Sequence, residues 1–215
     1  MNRQQKKQDE KVSRNTRSTK LKLLKAATKE FADKGLNGAR VDGIASRAGV
    51  NKQLLYYYFG DKEKLFVAVL EAAYVKLRKK EKELHLEDMN PWQAIETLVG
   101  FTFDYIAHNR QFVALLNDEN IHHAQHIKRS KTIKGLHSKL LELLSEVLKR
   151  GAKEGLFRKN VDPIEFYISL ASLCYFFFSN NHTLSAIFAR NLTGAAQKEA
   201  RRKHIFEFIT AYLKI

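Results

Sequence analysis

RVDGIASRAGVNKQLLYYYFGDKEKLF, residues 40–66, is the stretch whose order of apolar, glycine and polar positions decides the fold. Val41, Ile44, Ala45 and Ala48 fall on one side of a helix running from Val41 to Ala48, because residues three and four apart share a helical face. Gly49 ends that helix, since glycine enters left-handed torsions without a Cβ clash, and Asn51 is a good N-cap for a restart. The second helix, Lys52 to Phe59, turns Leu55 and Phe59 inward at i, i+4 spacing. At about 1.5 Å per residue it is about 12 Å long, close to the width of a DNA major groove. Gly60-Asp61 breaks and recaps the chain, and a longer helix follows from Lys62 to about Lys82 with Leu65, Phe66, Val69, Leu70 and Ala73 inward.

Working outward from this stretch, helical spacing persists in both directions. Leu21, Leu24, Ala27, Phe31 and Ala32 predict an amphipathic helix over Ser18 to Lys34, closed by Gly35. Residues 1–16 are nearly devoid of large apolar side chains, so they are expected to be a disordered arm in the free protein. Lys6, Lys7, Lys11, Arg14 and Arg17 make that arm either a phosphate or minor-groove contact or a solvated tail. Toward the C-terminus the pattern predicts helices over Trp92 to His108 behind Pro91, Arg110 to Glu119, about Thr132 to Ala152, Pro163 to about Asn180 behind Asp162, Thr183 to Ala189, and about Ala195 to Lys214. No segment has strand period, and no internal repeat or Gly/Ser linker interrupts the chain. The expectation is an all-α protein: a basic arm over 1–16, a three-helix helix-turn-helix domain over 17–65, and a larger helical domain over 66–215.

Composition narrows the partners. The chain of 215 residues carries a formal charge of +15, and residues 1–65 hold 16 Lys/Arg against 7 Asp/Glu, leaving +6 for the other 150. A polyanionic partner is therefore expected near the N-terminal end. The lone cysteine, Cys174, has no intramolecular partner, and the N-terminus lacks the apolar core of a secretory signal, so a cytoplasmic location is expected. The most apolar run, Tyr167 to Phe178, has 12 residues and two serines, too short to cross a bilayer. It reads as core or interface.

With Leu55 and Phe59 inward, Lys52, Gln53 and Tyr56 project from the opposite side of the short helix and Asn51 stands at its start. Gln53 can pair bidentately with adenine and Lys52 can donate to guanine. Arg40 and Arg47 flank the preceding helix as candidates for phosphate contact. Consecutive tyrosines cannot all be buried by so short a helix, so at least one of Tyr56, Tyr57 and Tyr58 must face outward.

These residues carry a family resemblance. Phe31-Ala32 with Gly35, Ile44-Ala45, Ala48-Gly49-Val50, Leu55 through Phe59, and Asp61-Lys62-Glu63 with Leu65 resemble the TetR/AcrR family of bacterial transcriptional regulators. The helices beyond resemble that family's C-terminal domain, nearest the branch containing the pyrimidine-utilisation regulator. The resemblance implies that Tyr56 and Tyr57 touch bases or backbone, that Lys62 holds a phosphate, that two subunits pair through their C-terminal helices on a palindromic operator, and that a small molecule tunes DNA affinity. Asp42-Gly43 departs from family members that place a base-reading arginine or threonine there; Asp42 is expected to cap its helix or accept from cytosine N4.

For the larger domain, Phe101, Tyr105, Tyr167 and Tyr175 are candidates to line a pocket for a small, flat or apolar molecule, against the alternative of ordinary core and dimer packing. The run from Tyr167 to Phe178 is apolar on nearly every face, so a second subunit is expected to cover part of it. His122, His123 and His126 invite a metal reading, since His122 and His126 stand at i, i+4 with Glu119 nearby, but a polar loop or helix end in the basic segment HHAQHIKRSK is the expected reading, and no metal or cofactor is expected. No motif sets a nucleophile beside its base, so a non-enzymatic regulator is expected. The rivals are a basic helical protein on anionic membrane or RNA, and a helical enzyme using the aromatic pocket.

Overall fold

The computed structural model describes the backbone of residues 3–215 and the side chains of residues 15–215. Ten α-helices make up the described chain: α1 (Arg3–Gly38), α2 (Val41–Ala48), α3 (Lys52–Phe59), α4 (Lys62–Lys82), α5 (Pro91–His108), α6 (Arg110–Ile121), α7 (Lys131–Lys153), α8 (Pro163–Ser179), α9 (Asn181–Ile187) and α10 (Ala195–Leu213). Short 3-10 turns over Leu86–Asp88 and Ile127–Arg129 precede α5 and α7. Among the described residues there is no strand, and no helix is long and apolar enough to cross a membrane.

The bounds of α2, α3 and α4 coincide with the expected ones, and the later helices fall within about two residues of them. Two details of α1 differ. Its backbone is helical from Arg3, whereas an unstructured arm is expected over 1–16; no glycine or proline precedes Gly35, and Gln, Lys, Glu and Arg are good helix formers. The expected contacts of Lys6, Lys7, Lys11 and Arg14 lie outside the described side chains. The buried stripe of α1 is Leu23, Ala26, Ala27, Glu30 and Phe31, while Leu21 is exposed. The helix breaks at Gly35, whose φ of 68° and ψ of 172° are non-helical.

The chain divides into two compact units. The first takes the residues up to Ala73 together with Ala114–Ser130, and the second takes Tyr74–Val113 with Lys131–Ile215. In the first, Leu23, Phe31, Ile44, Leu55, Leu65 and Phe66 are buried, and the Phe31 and Phe66 rings meet edge to face at 5.0 Å. Leu115 of α6 is also buried, and Asp118 accepts the Leu36 N–H at 2.8 Å just past the break in α1. The expected boundary at residue 65 does not contain this recruitment of residues 114–130.

In the second unit α5 packs on α7, α8 and α10. Its core includes Ile95, Leu98, Phe103, Leu144, Phe157, Phe166, Leu170, Cys174, Ile205 and Ile209. Asp162 caps α8 by accepting from the Ile164 and Glu165 N–H groups, with Pro163 at the first helical position. Cys174 is fully enclosed, and burial pushes its thiol up to about 12, which makes it a packing residue at neutral pH.

Candidate nucleic-acid interface

The turn between α2 and α3 is built entirely from local hydrogen bonds. Gly49 is left-handed with φ 66°, its N–H reaches Ser46 O at 3.0 Å, and the Val50 N–H reaches Ala45 O at 3.1 Å. This is the paired closure that a glycine after a helix end permits. The Asn51 side chain then accepts from the Gln53 N–H at 2.8 Å, so Asn51 caps α3 as expected.

Helix α3 is held by Leu55 and Phe59, 0% and 8% exposed, and shows its other side to solvent. Lys52, Gln53, Tyr56 and Tyr57 are all exposed, Tyr57 at 81%, and Tyr58 is half-buried with its ring 5.2 Å from that of Tyr57. Gly60 closes α3 by donating to Tyr56 O at 2.8 Å. Asp61 then caps α4 through the Lys64 N–H at 2.7 Å, and that backbone bond holds the Asp61 carboxyl below its ordinary range.

Charged side chains around this face are partnered within the unit. Glu30 of α1 is buried and takes the Lys34 ammonium at 2.7 Å and the Arg47 guanidinium at 3.1 Å. The Lys34 hydrogen bond is the main reason its carboxyl sits below the usual value, and it outweighs the opposing effect of burial. Gly43 has a steric explanation here: a Cβ at that position would lie 3.2 Å from the Glu30 carboxylate. Asp42 does not cap α2; the residue at the N-cap is Arg40, without a side-chain cap bond. Asp42 instead pairs with Lys52 at 2.8 Å, linking α2 to α3 and raising the Lys52 ammonium above its ordinary value.

Lys62 also differs from a freely presented side chain. Its Nζ donates to Leu36 O at 2.8 Å and Ala39 O at 3.3 Å, tying the start of α4 to the end of α1. Two of its three ammonium protons are thereby used. Of the eight residues expected to face DNA, the structure puts Lys52, Gln53, Tyr56 and Tyr57 on exposed α3 positions with Asn51 at the cap, leaves Arg40 exposed, engages Arg47 with Glu30, and ties down Lys62.

The histidine segment holds a feature the sequence conceals. His126 is fully buried, not part of a solvated loop. Its Nδ1 lies 2.6 Å from Glu119 of α6 and its Nε2 lies 2.9 Å from Glu63 of α4, so the ring stands between carboxylates of two helices. Glu119 also accepts the backbone N–H groups of His126 and Ile127, both at 2.9 Å. Glu63 is the second residue of α4, so this bridge fixes the helix that follows the recognition turn. No local spacing signals a contact between residues 63 apart in sequence.

In the second unit, Phe101 and Tyr105 face one another with ring centroids 5.7 Å apart and line the same cleft. Tyr167 accepts a hydrogen bond from Arg78 at 3.0 Å, and Tyr175 packs half-buried against the apolar core.

Comparison with known proteins agrees with both halves of this description. Residues 23–69 match the bacterial regulatory proteins of the tetR family, and residues 91–209 match the tetracyclin repressor-like C-terminal domain. The HTH-type transcriptional repressor NicS of Pseudomonas putida is 39% identical over 183 residues, 85% of each chain. Among solved structures, the ketosteroid transcriptional regulator KstR2 of Mycobacterium tuberculosis superposes with a TM-score of 0.64 at 21% identity, over 91% of this chain and 95% of that one. The regulator FadR of Bacillus subtilis, solved with stearoyl-CoA, gives 0.64 at 15% identity, over 89% and 98%. The helix-turn-helix geometry, the helical C-terminal unit and these matches place the chain in the TetR family of bacterial regulatory proteins.

Proposed function

We propose that this protein is a homodimeric transcriptional repressor that binds a palindromic operator in the cytoplasm, releases it when a small molecule occupies the C-terminal unit, and catalyses no reaction. The observation that carries the reading is the outer face of α3, where Lys52, Gln53, Tyr56 and Tyr57 stand exposed on a helix locked by Leu55 and Phe59. Gln53 and Tyr56 are assigned to base edges, and Lys52 joins them once DNA competes it away from Asp42. Tyr57, Arg40, Arg47 and the third proton of Lys62 are assigned to phosphates, which orient the unit without reading sequence.

Pairing of two copies is supported by α8 and α10. Ile164, Ile168 and Phe176 of α8, and Phe208 and Tyr212 of α10, are large apolar side chains at least 40% exposed. Such a surface, facing away from a core already filled by Phe166, Leu170, Cys174 and Phe177, suits a two-fold contact in which the same patch meets itself. A dimer would present two α3 helices to half-sites related by the same axis. Assignment as a repressor follows the naming of its relative NicS. Phe101, Tyr105, Tyr167 and Tyr175 remain the proposed lining of the effector region.

Selection of bound sequences from random duplex DNA tests the reading. A palindromic consensus is expected, and recovery of unenriched sequence would overturn it.

A further inference from the structure

Helix α10 sets an arginine where its buried stripe calls for an apolar residue. Ile205, Ile209 and Leu213 recur every fourth position and are no more than 1% exposed, and Arg201 stands one step earlier in the same row. Its guanidinium lies 5.8 Å from the centroid of the buried Phe177 ring. Nη2 donates to Leu173 O at 2.9 Å, and Nε is enclosed without a partner. Nη1 also makes no hydrogen bond among the described residues, but unlike Nε it is not enclosed. The neighbouring Arg202 stands 3.7 Å from the Asp104 carboxylate, whereas Arg201 forms no ion pair among the described residues. Burial holds the Arg201 guanidinium below its ordinary value, and no carboxylate offsets that. A half-buried cation without a counter-ion is costly to the fold.

The same residue lines a cleft. Gln197, Ala200 and His204 flank Arg201 at one-turn spacing and with it form the α10 wall of a cavity of about 460 Å³. Phe176 and Phe177 of α8, Leu184 of α9, and Phe188 and Leu192 of the link to α10 supply apolar walls. Arg190 adds a second guanidinium, and no aspartate or glutamate lines the space. Its volume falls in the range of about 300–1,000 Å³ common to small-molecule sites. Apolar walls with a positive end match a molecule that is itself apolar with a negative end. A neutral apolar molecule would leave the guanidinium uncompensated, and a small hydrophilic anion would leave the aromatic walls wet.

We propose that the cleft between α8, α9 and α10 binds an amphipathic organic anion, its carboxylate on Arg201 Nη1 and its apolar body among Phe176, Phe177, Leu184 and Phe188. A carboxylate suits the position because its hydrogen bonds to guanidinium are charge-assisted. The Gln197 side-chain amide, on the same wall, offers a further donor. The site shares no residue with the effector lining proposed above, Phe101, Tyr105, Tyr167 and Tyr175, and its occupancy is independent of the repressor reading. Phe176 also belongs to the patch proposed for self-association, so a second copy of the chain is the competing occupant.

The test uses the full chain with 2-naphthoate and decanoate, each beside its neutral amide, followed by calorimetric titration, thermal melting and sedimentation. At least one acid is expected to raise Tm by about 3–6 °C at ten times its half-saturating concentration. Its amide is expected to bind about tenfold or more weakly, as loss of a hydrogen-bonded charge implies. Arg201→Met keeps much of the side chain's reach and returns an apolar residue to the stripe. This variant is expected to melt cooperatively at or above the wild-type Tm, to lose about tenfold or more in acid affinity, and to bind the amide as wild type does. Leu184→Trp fills the cleft and is expected to abolish both responses while sedimenting like wild type. Equal affinity for acid and amide, acid binding untouched by Arg201→Met, or no response of wild type to either acid would overturn the proposal. Dissociation of the unliganded protein on Leu184→Trp would assign the cleft to a second copy and overturn it as well.

Discussion

Helices α3 and α8 both leave large side chains in solvent, but of opposite kinds. On α3 the exposed rings are Tyr56 and Tyr57, each with a hydroxyl and with Lys52 and Gln53 beside them. On α8 the exposed residues are Ile164, Ile168 and Phe176, which have no polar atom in the side chain. A surface that combines aromatic area with donors and positive charge is matched to a wet, anionic partner such as a DNA groove. A bare apolar stripe gains only from contact with another apolar stripe, and a second copy of the same chain provides one. In the proposed reading one exposed face meets nucleic acid and the other meets a second copy of the chain.

The largest effect should come from breaking the α8 side of this comparison. Ile168→Glu places a charge in the proposed contact and is expected to convert a dimer into a monomer in analytical ultracentrifugation, with operator affinity falling at least a hundredfold because paired half-site binding is lost. A variant that stays dimeric would remove α8 from the interface. Next, Leu55→Ala empties a fully buried position beneath α3 and should cost about 2–5 kcal/mol in denaturant unfolding. Tyr56→Ala, on the opposite side of the same helix, should leave that stability within about 0.5 kcal/mol of wild type while weakening operator binding about tenfold or more, as loss of about 1–3 kcal/mol of base contact implies. Comparable losses of stability for both variants would mean that Tyr56 is a packing residue.

Smaller effects probe the charges. Glu30 has a lowered carboxyl value in the fold, so its stabilising contribution is complete above the ordinary 4.5 and disappears as pH falls through the lower folded value. Glu30→Gln should therefore reduce Tm at neutral pH and flatten the acid limb of the Tm curve below that point. Asp42→Asn releases Lys52 from its 2.8 Å partner and should raise affinity for unrelated duplex DNA less than tenfold, with a steeper salt dependence. An unchanged salt slope would show that Lys52 does not meet phosphate or base.

How much of this could be read from residues alone depended on whether the contacts were local. Gly49, Asn51, Leu55 and Phe59 act through neighbours within a few positions, so the turn, the cap and the buried side of α3 were legible. The bounds of α2, α3 and α4 followed from the same short-range signals. Contacts between distant segments were not. Glu119 and His126 reach Glu63, and Asp118 reaches Leu36, without any periodicity that marks them, so the association of residues 114–130 with the first unit was invisible. The burial of Arg78 and Glu81 as a pair was hidden by composition, since Lys79, Lys80 and Lys82 around them are exposed. Asp42 looked like a cap because it opens a helix, but it stands one residue past the first helical position and turns to Lys52 instead. The apolar run from Tyr167 to Phe178 needs cover, and the fold shows which of its large apolar residues the core leaves uncovered: Ile168 and Phe176, with Ile164 exposed just before it.

The central claim is that the outer face of α3 reads DNA sequence. Its most direct test is the triple variant Lys52→Ala/Gln53→Ala/Tyr56→Ala, compared with wild type for binding to the selected operator and to a scrambled duplex, after circular dichroism and sedimentation establish equal helicity and oligomeric state. Near-equal affinity of the variant for the two duplexes, against a strong preference in wild type, is the result expected. A folded variant that still prefers the operator as strongly as wild type would contradict it.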